Sequence, residues 1–160
     1  MRRISWIGVG IMGKAMVRNL MKAGYEVHIY ARHPEKVADV VSEGAVPHGS
    51  IAECVKASEV VITMVGFPKD VEEVYFAPGN ILDSAAKGMT LIDMTTTSPT
   101  LAQRIYREGT ARGLRVLDAP VTGGGSGIDS WKAPAAKHSD PARRFLLPLP
   151  QGAYLSQSAS

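Results

Sequence analysis

Short apolar runs alternate with stretches whose apolar residues recur at helical spacing, and this alternation persists through the first 127 residues. "RISWIG" (Arg3–Gly8) has the length and composition of a strand. Behind it, Met12, Met16, Leu20 and Ala23 fall on one face of a helix, and Gly24 closes that helix from its C-terminal side. "EVHIY" (Glu26–Tyr30) predicts the second strand. Pro34 suits the first turn of a helix running to about Glu43 and ended by Gly44. Ser50 with Glu53 fits a capping box for a short helix to about Ala57. "VVITMV" (Val60–Val65) is apolar without interruption, as expected of a strand covered on both faces. Pro68 and Asp70 open a helix to about Phe76, "TLIDM" (Thr90–Met94) predicts a strand, and Ser98-Pro99 caps a long helix ending at Gly113. "LRVLDA" (Leu114–Ala119) is the last clear strand. The alternation predicts a doubly wound α/β domain with a parallel sheet and right-handed crossovers.

The pattern breaks after Gly127. From there Pro134, Pro141, Pro148 and Pro150 interrupt any helix or central strand, and the chain ends rich in serine. Residues 1–128 are therefore expected to form the folded domain, and 129–160 an irregular, poorly ordered tail.

Composition changes this picture little. A 160-residue chain with 45% hydrophobic and 21% charged residues suits one globular domain. No apolar run approaches the roughly 18 residues of a membrane span, and Gly8 and Gly10 interrupt the N-terminal apolar run where a signal peptide would continue it. The expectation is a cytoplasmic protein without membrane partners. The net charge of +3 does not mark a nucleic-acid binder, because the first 127 residues carry 14 basic against 13 acidic side chains with no dense basic stripe. Cys54 is the single cysteine, so no disulfide framework or cysteine metal site is expected.

The chemistry concentrates in "GVGIMG", where Gly8, Gly10 and Gly13 have the spacing G-x-G-x-x-G between a strand and a helix. Gly8 permits the sharp turn, Gly10 lets backbone approach a pyrophosphate, and Gly13 lets helix pack on strand. The helix dipole, about half a charge at that end, favours the anion. A glycine turn without ligand and a methyltransferase-type loop are the competing readings of the motif alone. With it, the fold is expected to be Rossmann-type. At the end of the second strand an NAD site usually has a carboxylate for the ribose 2′-OH. This chain has Tyr30-Ala31-Arg32-His33 and then Lys36. Arg32 could fork onto a 2′-phosphate, with Lys36 adding a charge; the bland reading is a solvated arginine. NADP is favoured, with NAD possible.

The stretch from Trp6 to Val37 resembles the N-terminal signature of the β-hydroxyacid dehydrogenases, the family of 3-hydroxyisobutyrate and 6-phosphogluconate dehydrogenases. Met12, Met16, Asn19, Leu20 and Gly24 fall on its signature positions. "VITMVGFPKDVEEVYF", "LIDMTTTSPTLAQRI" and "DAPVTGGGSG" are similar to three later family segments, so the resemblance covers residues 4–128. It implies hydride transfer between nicotinamide and a β-hydroxy acid or its semialdehyde. It also implies a cofactor site at Gly8, Gly10, Ile11, Met12, Gly13, Arg32, His33, Lys36, Met64, Val65, Thr95 and Thr96. Thr122, in place of the usual serine, would hold substrate with Gly123 and Gly124.

The family's general acid/base is a lysine in G-x-x-x-K-x-x-N on the first helix of an all-α second domain, through which members oligomerise. That motif does not occur here: Lys132 and Lys137 lie among prolines. No catalytic residue is therefore assigned. The chain is expected to be a cofactor domain, truncated or altered in its ending, without turnover alone; the alternative is a non-catalytic NADP-binding module. The remaining candidates have bland readings. Cys54 packs on a helix face, His28 is structural, His33, His48 and His138 are scattered so that no metal site is expected, Asp93 and Asp118 are turn or cap acceptors, and Trp6 is core.

Overall fold

A computed structural model describes residues 3–65, 67–94 and 99–118. Six strands form one parallel sheet: β1 (Arg3–Ile7), β2 (Glu26–Tyr30), β3 (Val46–Pro47), β4 (Val60–Thr63), β5 (Thr90–Asp93) and β6 (Arg115–Asp118). The intervening helices are α1 (Ile11–Lys22), α2 (Ala38–Ser42), α3 (Ile51–Lys56), α4 (Pro68–Phe76), α5 (Ile81–Ser84) and α6 (Pro99–Ala111). The spatial order is β3-β2-β1-β4-β5-β6. The chain therefore builds outward from β1 in one direction, returns, and builds outward from β4 in the other. Ile4 stands opposite both Val27 and Val60, which fixes β1 as the central strand of that reversal.

Period-two alternation explains why the strands read as continuous apolar runs. Ile4, Trp6, Val60, Ile62 and Ile92 face one side, where they pack with Met16, Leu20 and Val40. Ile7, Val61 and Leu91 face the other, against Val55, Val71, Tyr75, Leu82, Leu101 and Ile105. Trp6 is fully buried, and its indole N–H donates to the Gly8 carbonyl at 3.3 Å. A side chain of that size fixes the spacing between β1 and α1.

The helix ends follow from the sequence. After α1, Tyr25 N donates to Leu20 O and Gly24 N to Met21 O, with Gly24 at φ +96°, the paired bonds that terminate a helix in a left-handed residue. The helix expected from Pro34 to Glu43 is instead a 3-10 turn, Pro34–Val37, followed by α2. At α3 the Ser50 hydroxyl accepts from Glu53 N at 3.2 Å, the serine half of the expected box. The expected strand at Val60–Val65 ends at Thr63, so that Met64 and Val65 lie in the following turn. β3 and α5 were not anticipated.

Two buried polar groups have partners that the sequence reading did not name. Asp93 is buried at the end of β5 and accepts from Thr63 Oγ1 at 3.0 Å, while Thr63 Oγ1 lies 2.9 Å from Tyr75 Oη. Having given its proton to Asp93, Thr63 accepts from Tyr75, and this chain of hydrogen bonds ties β4, β5 and α4 together. The histidines are not all scattered either. The register of β2 against β3 brings His28 Nδ1 within 2.8 Å of His48 Nε2. His28 Nε2 is buried 3.6 Å from Glu26 Oε1, beyond hydrogen-bond reach.

Burial lowers the pKa of His28 below its ordinary 6.5; Glu26 opposes the shift, and His48 and Arg3 add to it. The unfolded chain therefore takes up this proton before the folded one. Its contribution to stability is full above pH 6.5 and declines as pH falls through 6.5 towards the folded value. The melting temperature is expected to drop between about pH 7 and 5.5, and to drop less in His28→Gln. Equal slopes in the two proteins would remove His28 as the titrating group.

Candidate functional site

Because the strand order reverses at β1 and β4, the turns leaving those strands diverge and open a crevice at their C-terminal ends. A cleft of about 540 Å³ lies there. Three successive turns line it. The β1–α1 turn contributes Gly8, Gly10 and Gly13, the chain after β2 contributes Arg32, His33 and Lys36, and the chain after β4 contributes Met64 and Val65, with Asp70 and Val74 of α4 beyond. Backbone bonds from Gly8 N to Tyr30 O (3.4 Å) and from Met64 N to Ile7 O (2.9 Å) continue the ladder past the strand ends and hold these turns side by side.

The three glycines do different work. Gly8 has φ +97°, and a Cβ there would stand 2.2 Å from the Met64 carbonyl oxygen. At Gly13 a Cβ would stand 2.9 Å from Gly8 O and 3.1 Å from Trp6 Nε1. Both are demanded by packing. At Gly10 a Cβ would meet nothing within 4 Å. The protein itself leaves that space open, and Gly10 is the residue at the N-terminus of α1. No side chain caps this end, and no acidic residue stands in the first turn. The helix thus presents its positive end to the cleft with no carboxylate in its own first turn. That arrangement suits a pyrophosphate.

Arg32 lies at the rim, mostly exposed. Its Nη2 is 3.5 Å from Glu73 Oε2 and 3.9 Å from Asp70 Oδ1, both on α4 across the cleft. Asp70 is itself held, since its Oδ2 accepts from Phe67 N at 3.1 Å and so fixes the start of α4. His33 Nδ1 faces Glu35 Oε1 at 3.7 Å. The cationic rim legible in the sequence is therefore opposed by carboxylates that sequence reasoning did not include. Only the strand order, which sets α4 beside the end of β2, could have revealed them.

Ile11 and Met12 are the first two residues of α1. Thr95, Thr96, Thr122, Gly123 and Gly124 lie outside the described residues, as do His138, Lys132, Lys137 and the expected tail. Cys54 is buried and its thiol is pushed up to about 11 by that burial, so it carries no thiolate at neutral pH. Among the described residues no cluster of three or more His, Cys, Asp or Glu side chains is placed to hold a metal, and no helix is long and apolar enough to cross a membrane.

A glycine loop opening an uncapped helix at the switch point of this sheet defines a dinucleotide-binding α/β domain. The sequence profile of the NAD binding domain of 6-phosphogluconate dehydrogenase matches residues 3–132, and the chain belongs to that family. An uncharacterised oxidoreductase of Bacillus subtilis, YkwC, is 42% identical over 129 residues, covering 81% of this chain and 45% of its own length. The structure of Mycobacterium tuberculosis 3-hydroxyisobutyrate dehydrogenase with L-serine superposes with a TM-score of 0.74 at 32% identity, over 81% of this chain and 43% of that one. A complex of Psf3 with NADP+ and 2-OPP gives a TM-score of 0.74 at 29% identity, over 78% and 44%. The chain thus spans a little under half the length of these relatives.

Proposed function

We propose that this chain is the cofactor-binding part of an NADP(H)-preferring oxidoreductase of the 3-hydroxyisobutyrate dehydrogenase type, acting on a small β-hydroxy acid or its semialdehyde. The observation that carries this reading is the convergence of Gly10, the uncapped start of α1 and Arg32 on one cleft. Bound nicotinamide would supply the hydride chemistry. The chain's own residues bind and orient. Backbone N–H groups of Ile11, Met12 and Gly13 would receive the pyrophosphate where Gly10 leaves space, and Gly8 would keep that turn clear of β4. Arg32 would meet a 2′-phosphate as a fork and Lys36 as a point charge, with His33 beside them. Met64 and Val65 give the cleft an apolar wall. Thr95 and Thr96 are assigned to the nicotinamide end, and Thr122, Gly123 and Gly124 to the substrate carboxylate and hydroxyl, on their sequence positions. Such contacts would contribute by fixing the reacting geometry.

NADPH is expected to bind the 160-residue chain with a Kd on the order of micromolar, about 8 kcal/mol; S-adenosylmethionine is not. Absence of NADPH binding at millimolar concentration would overturn the proposal. Arg32→Asp removes a charge-assisted hydrogen bond, about 1.5 kcal/mol, and should shift the NADPH to NADH affinity ratio on the order of tenfold towards NADH. An unchanged ratio would remove Arg32 from the site.

A further inference from the structure

We infer that Glu73 and Asp70 on α4 form an acidic counter-rim that tempers NADP(H) preference by engaging Arg32, making Glu73 a specificity-determining position of the cofactor site. This inference rests on the NADP(H) reading above and goes beyond it. The sequence around β2 presents Arg32 and Lys36 to the cleft with no carboxylate at the position an NAD site would use, which by itself points to strong selection for a 2′-phosphate. The fold places two carboxylates opposite. Arg32 Nη2 stands 3.5 Å from Glu73 and 3.9 Å from Asp70. The rim therefore carries Arg32 and Lys36 against Asp70 and Glu73, with Glu35 beside His33. Its cationic charge is offset within the protein.

Two physical consequences follow. A 2′-phosphate, which carries close to two negative charges above about pH 7, must draw the guanidinium from the carboxylates before it can be forked. It also meets their repulsion. The 2′-hydroxyl of NAD(H) suffers neither cost. Asp70 is pinned by its bond from Phe67 N and serves the helix start as well. Glu73 makes no comparable bond to a helix terminus through its carboxylate, and its side chain is more than half exposed, so it is the position at which charge can change without loss of fold.

The test uses fluorescence titration of NADPH and NADH on the 160-residue chain and four variants. Glu73→Gln should tighten NADPH by about three- to tenfold, the effect of removing one unit charge facing a doubly charged group near the surface, with NADH changed less than about twofold. The gain should shrink at about 1 M salt, where the Debye length is near 3 Å. Glu72→Gln is the control: it removes the same charge one residue away, from a side chain paired with Arg104 at 3.0 Å, and should leave the ratio unmoved. In an Arg32→Gln background the effect of Glu73→Gln should shrink to what direct repulsion alone supplies, since the competition for the guanidinium is gone. An NADPH to NADH ratio unmoved by Glu73→Gln, or moved equally by Glu72→Gln, or a gain undiminished by loss of Arg32, overturns the inference while leaving the proposed function standing. Failure of wild type to bind either dinucleotide overturns both.

Discussion

Gly8→Ala is expected to lower unfolding stability by about 2–5 kcal/mol, read as a shift in the urea midpoint at constant slope. The two parts of that effect are separable. An L side chain at φ +97° costs about 1–2 kcal/mol from its own backbone. Overpacking adds about 1–3 kcal/mol, because the new Cβ would sit 2.2 Å from a carbonyl oxygen and 2.7 Å from Val65 Cγ1. The obstacle is backbone, so the nearer contact cannot be relieved by a rotamer change. Relief would require β1 and the turn after β4 to move apart at the point where both line the cleft. Since small domains are stable by only about 5–15 kcal/mol, such a change should be visible in expression as well as in denaturation. A variant within about 0.5 kcal/mol of wild type would mean that the β1–α1 turn is not held against Met64 in the folded protein.

Gly10→Val should give the opposite profile, with stability altered by no more than about 1 kcal/mol and NADPH affinity reduced on the order of 100-fold. Gly10 has extended backbone, φ −90° and ψ −166°, which valine adopts freely. A Cβ there meets nothing within 4 Å, so the first atom of the new side chain finds open space. The conflict would come with the ligand. An isopropyl group in front of the first turn of α1 would hold a pyrophosphate away from the N–H groups, and losing two charge-assisted bonds of about 1.5 kcal/mol each accounts for the predicted factor. Dichroism, a urea titration and NADPH fluorescence on one sample decide it. Undiminished binding in a folded Gly10→Val would place the pyrophosphate elsewhere and remove the main support for the proposed site.

The contrast between these two glycines shows what a sequence can reveal and what it cannot. The spacing of Gly8, Gly10 and Gly13 after a strand was enough to locate the turn, and long periodic segments such as α1 and α6 were readable because a dozen residues repeat one pattern. β3 was not readable: two residues, one of them proline, carry no period. α5 was missed for the same reason, being four residues long. The pairing of His28 with His48, and of Arg32 with Glu73 and Asp70, was hidden for a different reason. Each pair joins elements whose adjacency depends on strand order and register, and neither quantity is written in local composition. The bond from Thr63 to Asp93 was hidden in the same way, since it too crosses between strands. Thr63, in register beside Asp93 on β4, supplies a proton from within the sheet.

β3 ends the sheet on one side, and its shape bears on how this molecule meets its neighbours. His48 N donates to Ile29 O at 3.0 Å, so the residue before it turns its nitrogen outward, away from β2. That residue is Pro47, which has no N–H to offer. A strand from a second molecule approaching this border would find two residues of ladder and a ring where a donor should be. Aggregation by sheet extension needs a long row of open donors and acceptors. On this side the missing donor is a matter of covalent structure and does not depend on salt.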